Sequence, residues 1–344
     1  MLGVVIHAPH DLRVEPVTVT PPGAGEVSVR IEAGGICGSD LHYYHDGGFG
    51  AVRIKQPMVL GHEIAGVVTE VGAGVERLQA GTRVAVNPSL PCGRCRYCQD
   101  GQQRHCLDMR FMGSAMRFPH VQGGFRQALT VRAEQAVPIP DGMSIAEAAM
   151  AEPLAVCLHA VRQAGPLLGR RVLVTGCGPI GILTIMAARL AGACEIIATD
   201  LGAYPLRFAE RSGATRALDV SGNPAALAPY ATDKGTFDVL FEASGNGAAL
   251  RGAFEALRPG GIIVQIGIGG DVTLPLNVLV AKEFQLRGTF RFDQEFELAV
   301  ELMGAGRIDV TPLVTETVPI AHADAAFKLA TDRQQAMKVQ LSFA

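Results

Sequence analysis

The sequence predicts an α/β plus β fold: a β-rich part followed by a doubly wound parallel sheet with helices on both faces. Three observations carry this. The chain has 344 residues, more than the roughly 100–200 residues of an ordinary domain, so two cores are expected. From Val4 to about Val137 short alternating apolar runs are broken by Gly and Pro, the mark of β-rich, loop-rich sequence. From Arg171 strand-like and helix-like stretches alternate regularly, as βα units do in a parallel sheet.

Taken in order, residues 1–9 read as a first strand, and strands are expected at Val27–Ile31, Gly66–Val71, Arg83–Val86 and Ala128–Val131. Pro138, Pro140 and Gly142 close this region. Ser144 and Glu147 form a capping box that should start a helix, because the hydroxyl serves one orphan amide and the carboxylate reaches back to another. Beyond it come strands at Arg171–Thr175, Glu195–Thr199, Phe237–Glu242 and Gly261–Ile266. Helices are expected between them, over 179–191, 204–212 and 247–257. After Phe284–Phe290 the pattern mixes again, with a helix near Glu295–Met303 and strands at Leu313–Val318 and Lys338–Phe343. These changes in periodicity put boundaries near residues 150 and 290.

The composition narrows the partners. Thirty Lys and Arg stand against 33 Asp and Glu, a formal charge of −3, and the cations form no stripe, so nucleic acid is not an expected partner. The absence of Trp and only 6% aromatic residues also argue against a stacking platform for single strands. Residues 1–9 lack the charged and apolar regions of an export signal. The uncharged run Val172–Ala188 is interrupted by Gly176, Gly178, Pro179 and Gly181 and is short of the about 20 apolar residues a span needs. A cytoplasmic protein without a membrane partner is the expectation.

Val172–Gly181 places the glycine pattern G-x-G-x-x-G directly after an apolar strand and at the start of a helix. Gly176 permits the tight turn, Gly178 lets backbone approach a pyrophosphate, and Gly181 lets helix pack on strand. Pro179 sits where a missing amide hydrogen costs little, and the amides that follow, from Ile180 on, face the phosphates. Asp200 ends the next strand, at the spacing of the acid that hydrogen-bonds an adenosine ribose. Its charge repels a 2′-phosphate and favours NAD, while Arg207 and Arg211 nearby leave NADP open.

Of eight cysteines, four follow the pattern C-x2-C-x2-C-x7-C. Thiolates of Cys92, Cys95, Cys98 and Cys106 can close a tetrahedron around Zn²⁺ with no position open, which makes the site structural. Disulfides and an iron–sulfur cluster are the alternatives. The first needs an oxidising compartment, and the second usually shows other spacings. Cys157, Cys177 and Cys194 are expected to pack around the second domain.

Gly61-His62-Glu63, with Gly66, Gly72 and Val75 at fixed spacing, resembles the zinc-site pattern of the medium-chain, zinc-dependent alcohol and polyol dehydrogenases. Together with the cysteine lobe and the glycine turn, the resemblance covers essentially the whole chain. It implies a GroES-like catalytic domain over 1–150 with the structural zinc lobe, a Rossmann NAD-binding domain over 151–290, and a return to the catalytic domain over 291–344. It also implies one catalytic and one structural Zn²⁺ per chain, and a homodimer or homotetramer.

The polyol branch is the most similar. There Cys37, His62, Glu63 and Glu152 correspond to the catalytic zinc ligands, with the choice between the two carboxylates open. Ser39 and His42 correspond to a proton relay and Tyr43 to the pocket wall. Similarity over Cys37–Tyr44, Asp108–Phe125 and Gly288–Phe292 implies a polyol carrying a carboxylate, with Arg291 and then Arg110 as the cation that meets it. An uncharged polyol such as sorbitol or xylitol is the alternative substrate. A non-catalytic NAD-binding protein is the alternative of another class.

Overall fold

The computed structural model of the chain describes every residue except Pro224 and Ala344. It separates into two units. The first comprises Met1–Glu152, Phe296–Asp332 and Lys338–Ala344; the second comprises Pro153–Glu295 and Arg333–Met337.

The first unit is built on a seven-stranded sheet. Its central strand, Glu26–Gly35, pairs antiparallel with Glu63–Val71, with Ala128–Arg132 and with Lys338–Ser342. Alternation explains the pairing: Val27, Val29 and Ile31 turn inward and are all but fully buried. Bulges at Ser28/Val29 and Ile31/Ala33 shift the register against Glu63–Val71. The far end of the chain enters this sheet too, since Val314–Pro319 runs parallel to Lys338–Ser342. Both halves of the capping box at Ser144 are present, but the helix it opens is only Ile145–Ala148. A new helix, Ala151–Ala164, starts just before Pro153, which places the proline in a first turn where its missing amide hydrogen is harmless.

The second unit carries six parallel strands in the order Arg216–Asp219, Glu195–Asp200, Arg171–Thr175, Phe237–Glu242, Leu257–Gln265 and Gln285–Gly288. The first of these in the chain lies in the middle, so the order reverses direction beside Arg171–Thr175. This is the switch point at which such sheets bind ligands, outside the carboxyl ends of the strands. Leu173, Ile197, Leu240 and Ile263 are completely buried and pack with Phe237 and Phe254. The expected helix 247–257 is shorter: it runs Gly247–Ala253, tightens to a 3₁₀ turn through Ala256, and yields to the strand from Leu257. Cys157 and Cys177 are buried, whereas Cys194 is exposed. Cys194 is therefore not core packing; it sits at the turn before Glu195 and its thiol donates to the carbonyls of Gly169 and Arg170. Among the described residues no helix is long and apolar enough to cross a membrane.

Candidate functional site

Among the described residues, two groups of side chains in the first unit could hold a metal. Donor atoms of Cys92, Cys95, Cys98 and Cys106 all lie within 4.8 Å of one another. The Cys95 and Cys98 sulfurs are 3.5 Å apart, close to the roughly 3.8 Å edge of a tetrahedron with 2.3 Å Zn–S bonds. Backbone amides are aimed at the sulfurs: Cys92 and Asp108 both donate to Cys106 Sγ. Amides of Leu107 and Cys98 pull the Cys95 thiol down to about 6. Burial instead pushes Cys98 up to about 12. Four sulfurs arranged this way fit zinc and leave no position for a substrate.

The second group assembles Cys37, His62 and Glu63, again with donor atoms within 4.8 Å. Cys37 is the N-cap of the helix Gly38–Asp46, and His62 follows a turn at Gly61. That turn requires glycine: φ is +93°, and a β-carbon there would stand 2.1 Å from the Phe125 ring. Asp40, completely buried, ties the two turns together by accepting from the amides of Cys37 (3.0 Å) and Gly61 (3.2 Å). The same carboxylate lies 3.8 Å from His62 Nδ1, a buried nitrogen with no hydrogen bond. With Nδ1 turned to Asp40, Nε2 is the nitrogen left for a cation, the usual arrangement in which a carboxylate orients a metal-binding histidine.

Glu63 has a further partner. Lys338 Nζ reaches both of its carboxylate oxygens at 2.6 and 2.8 Å, and the pair is almost fully buried. Burial works against the Lys338 charge, but Glu63 and Cys37 outweigh it and raise the pKa. Glu152, also buried, lies outside the 4.8 Å group. Burial lifts its carboxyl to about 8, with His62 opposing the shift and Glu63 reinforcing it. Burial, then Glu63, lifts the Cys37 thiol to about 12. A thiol and a carboxyl whose pKa values lie above neutrality, beside an imidazole, form a sulfur, nitrogen and oxygen set that suits Zn²⁺, and a dication between them would reverse both shifts.

Ser39 lies half-buried and hydrogen-bonds the Cys37 thiol. His42 is open to solvent, its Nδ1 3.5 Å from Asp46. Tyr43 is buried and its hydroxyl accepts from the Ala115 amide, so it holds the 111–117 segment from beneath. Arg110 is placed elsewhere. Its neighbour Phe111 packs 5.5 Å from the His62 ring, while Arg110 lines a cleft of about 410 Å³ beside Cys92 with Arg94, Asp108, Arg132 and Glu134. Period-two alternation along a strand sends the two side chains to opposite faces.

In the second unit the glycine turn is closed by contact. Gly176 has φ +87°, and a β-carbon on Gly181 would overlap the Gly176 carbonyl at 1.8 Å. The Asp200 carboxylate accepts from the amides of Cys177, Leu201 and Gly202 at 2.7, 2.7 and 3.1 Å, which fixes it at the end of its strand next to the turn. Arg291, in the same unit, has φ +52° and stacks its guanidinium 4.8 Å over Phe290.

Known proteins share this arrangement. Residues 23–141 match the alcohol dehydrogenase GroES-like domain, and residues 179–305 match the zinc-binding dehydrogenase family. L-idonate 5-dehydrogenase (NAD(P)(+)) of Escherichia coli strain K12 is 44% identical over 318 residues, 92% of this chain and 91% of the relative. The chain belongs to the zinc-binding alcohol and polyol dehydrogenase family. Sorbitol dehydrogenase of Bacillus subtilis strain 168 is 34% identical over 99% of this chain and 97% of that protein. The crystal structure of E. coli K-12 L-idonate 5-dehydrogenase superposes with a TM-score of 0.95 at 41% identity, covering 99% of this chain and 97% of that one. Membership makes the protein an NAD(P)-dependent dehydrogenase with bound zinc, and both halves of that description have their residues here: cysteine and mixed-donor groups in the first unit, the glycine turn in the second.

Asp40 and Lys338 escape a reading of the sequence by motif. Asp40 had a local signal, an acid three residues after Cys37 where it can return to the N-cap amide. Lys338 had a weaker one, a lone charge in the apolar stretch Ala336–Phe343.

Proposed function

We propose that the protein oxidises the C5 hydroxyl of L-idonate to give 5-keto-D-gluconate, and runs the reverse reduction, with NAD or NADP. The observation that carries the reading is the largely buried Cys37, His62 and Glu63 group, with Glu152 close enough to feel the charges of all three, in a chain that also holds the glycine turn and Asp200. Greater identity to the L-idonate enzyme (44%) than to the B. subtilis sorbitol dehydrogenase (34%) supports the sugar acid over an uncharged polyol.

When bound, zinc would supply Lewis acidity to the reacting hydroxyl and the dinucleotide would supply the hydride acceptor. Cys37, His62 and Glu152 would hold the metal, because Glu63 already has both oxygens on Lys338. Asp40 keeps the imidazole in one orientation. Ser39 Oγ would accept the hydroxyl proton while passing its own proton onward, and His42, three residues on along the same helix and exposed, would release a proton to water. Tyr43 supports the wall of the pocket through Ala115, and Arg291 is the cation assigned to the substrate carboxylate. Arg110 is not retained in that role. Cys92, Cys95, Cys98 and Cys106 would hold the structural zinc.

The protein is further proposed to be a cytoplasmic homodimer or homotetramer. None of its eight cysteines is joined in a disulfide, which suits a reducing compartment. The strand Gln285–Gly288 has a neighbour on one side only, with Leu276, Val280 and Leu286 exposed on and near it, a surface a second copy would cover.

A panel of L-idonate, sorbitol and xylitol with each cofactor, compared by kcat/KM, tests the reading. L-idonate should lead by about 30-fold or more, the worth of one charge-assisted hydrogen bond. A preference for sorbitol or xylitol would replace the substrate, and no turnover in zinc-replete protein would leave a non-catalytic dinucleotide binder.

A further inference from the structure

The glycine turn carries a cation that its motif does not announce. Phe296–Asp332 and the residues from Lys338 on belong to the first unit, yet Arg333–Met337 between them belongs to the second. That excursion lays Arg333 on the turn: a β-carbon built on Gly178 would stand 2.9 Å from Arg333 Nη1. Gly178 is the N-cap of the helix Pro179–Leu190. No side chain caps this helix and its first turn holds no acid. The Cys177 amide is already spent on Asp200, and the Gly176 amide on the Thr199 carbonyl.

A guanidinium parked against the positive end of a helix is electrostatically uphill unless an anion joins them. Arg333 is exposed, and among the described residues no carboxylate forms an ion pair with it. Asp200, which accepts from the Cys177 amide of the turn, is taken up by backbone amides. A pyrophosphate satisfies every part of this arrangement, since it accepts the free amides of the first helical turn from one side and the planar fork of an arginine from the other.

We propose that Arg333 is a cofactor-binding residue that clamps the dinucleotide pyrophosphate against the start of the helix Pro179–Leu190. On this account the second glycine of the turn leaves room for the guanidinium as well as for the phosphates. The proposal rests on the dinucleotide reading above.

Direct titration of the zinc-replete protein by NADH fluorescence tests it. Arg333→Gln should weaken NADH binding about tenfold, the scale of one charged hydrogen bond, and make it less sensitive to salt. Arg333→Lys should fall between, because a point charge replaces the fork. ADP-ribose, which contains the pyrophosphate, should lose as much in competition as NADH, while adenosine should lose nothing. Equal NADH affinity in Arg333→Gln and the parent, or equal losses for adenosine and ADP-ribose, would overturn the clamp while leaving the dehydrogenase reading intact. A parent protein that binds neither NADH nor NADPH would remove the dinucleotide reading and the clamp with it.

Discussion

Cys92 and Cys106 lie 14 residues apart and one loop supplies the whole donor set. Glu63 and Lys338 lie 275 residues apart, His62 adjoins Glu63, and Cys37 and Glu152 come from two further places in the chain. The loop centre is all sulfur, partly exposed, and served by backbone amides that favour thiolate. The dispersed centre mixes sulfur, nitrogen and oxygen, buries His62, Glu63 and Glu152, and holds Cys37 and Glu152 above their ordinary pKa values. The contrast separates a centre that needs only its own loop from one that needs the surrounding fold to hold charges where water would not leave them. A closed set of four like ligands stabilises; an unlike set with an exchangeable position can do chemistry.

The sharpest way to break this contrast is to remove one sulfur from each. Cys37→Ala should lower turnover by more than the about 10–100-fold usual for losses outside the ligand shell, remove one zinc per chain, and leave the melting temperature nearly unchanged. Cys95→Ala should also remove one zinc, but lower the melting temperature and the yield of folded protein while sparing kcat of what remains. Metal content, melting and kcat measured side by side decide it; the same profile for both variants would erase the distinction.

Next in size is the buried ion pair. Lys338→Met leaves the Glu63 charge without its partner and should cost about 3–5 kcal/mol in denaturant unfolding. Adding Glu63→Gln should recover most of that loss, because the stranded charge goes too. A single variant within about 0.5 kcal/mol of the parent, the usual scatter of surface changes, would show that the pair does not anchor the dispersed centre.

The smallest effect is in acid. Protons and zinc compete for the same atoms, so donors that hold protons more tightly surrender metal at higher pH. Each centre has one thiol near 12, Cys37 and Cys98, and they differ in the rest: Glu152 is lifted to about 8 whereas Cys95 is pulled down to about 6, so acidification from pH 8 should empty the dispersed centre first. Activity would then fall while one zinc per chain remains, as a chromophoric chelator can follow. Release in the opposite order would reverse the assignment of which centre is the more tightly bound.

The same contrast governs what the sequence made legible. The cysteine lobe and the glycine turn are contiguous, so spacing alone conveys their geometry. The strands Arg171–Thr175 and Phe237–Glu242 match their expected bounds, because buried parallel strands are continuous apolar runs. Arg216–Asp219 passed unseen, since four mixed residues at a sheet edge carry no period. Arg110 was readable in principle: once Phe111 faces His62, alternation turns its neighbour away. Lys338 was not, because nothing local to either residue says that a lysine in the last strand answers a glutamate at Glu63.

That long separation also sets a timetable. A ribosome adds about 5–20 residues each second, so roughly 15–55 s pass between the emergence of Glu63 and that of Lys338, 275 residues later. During that interval the loop of four cysteines is complete and able to take up zinc, whereas the strand bearing Glu63 waits with its acid unanswered and the flank of Glu26–Gly35 uncovered where Gln340, Leu341 and Ser342 will pair. The dinucleotide sheet is finished meanwhile. A nascent chain therefore completes its structural metal site early and the ion pair that braces its catalytic site last, so an interrupted product would hold the cysteine lobe but leave Glu63 unpaired.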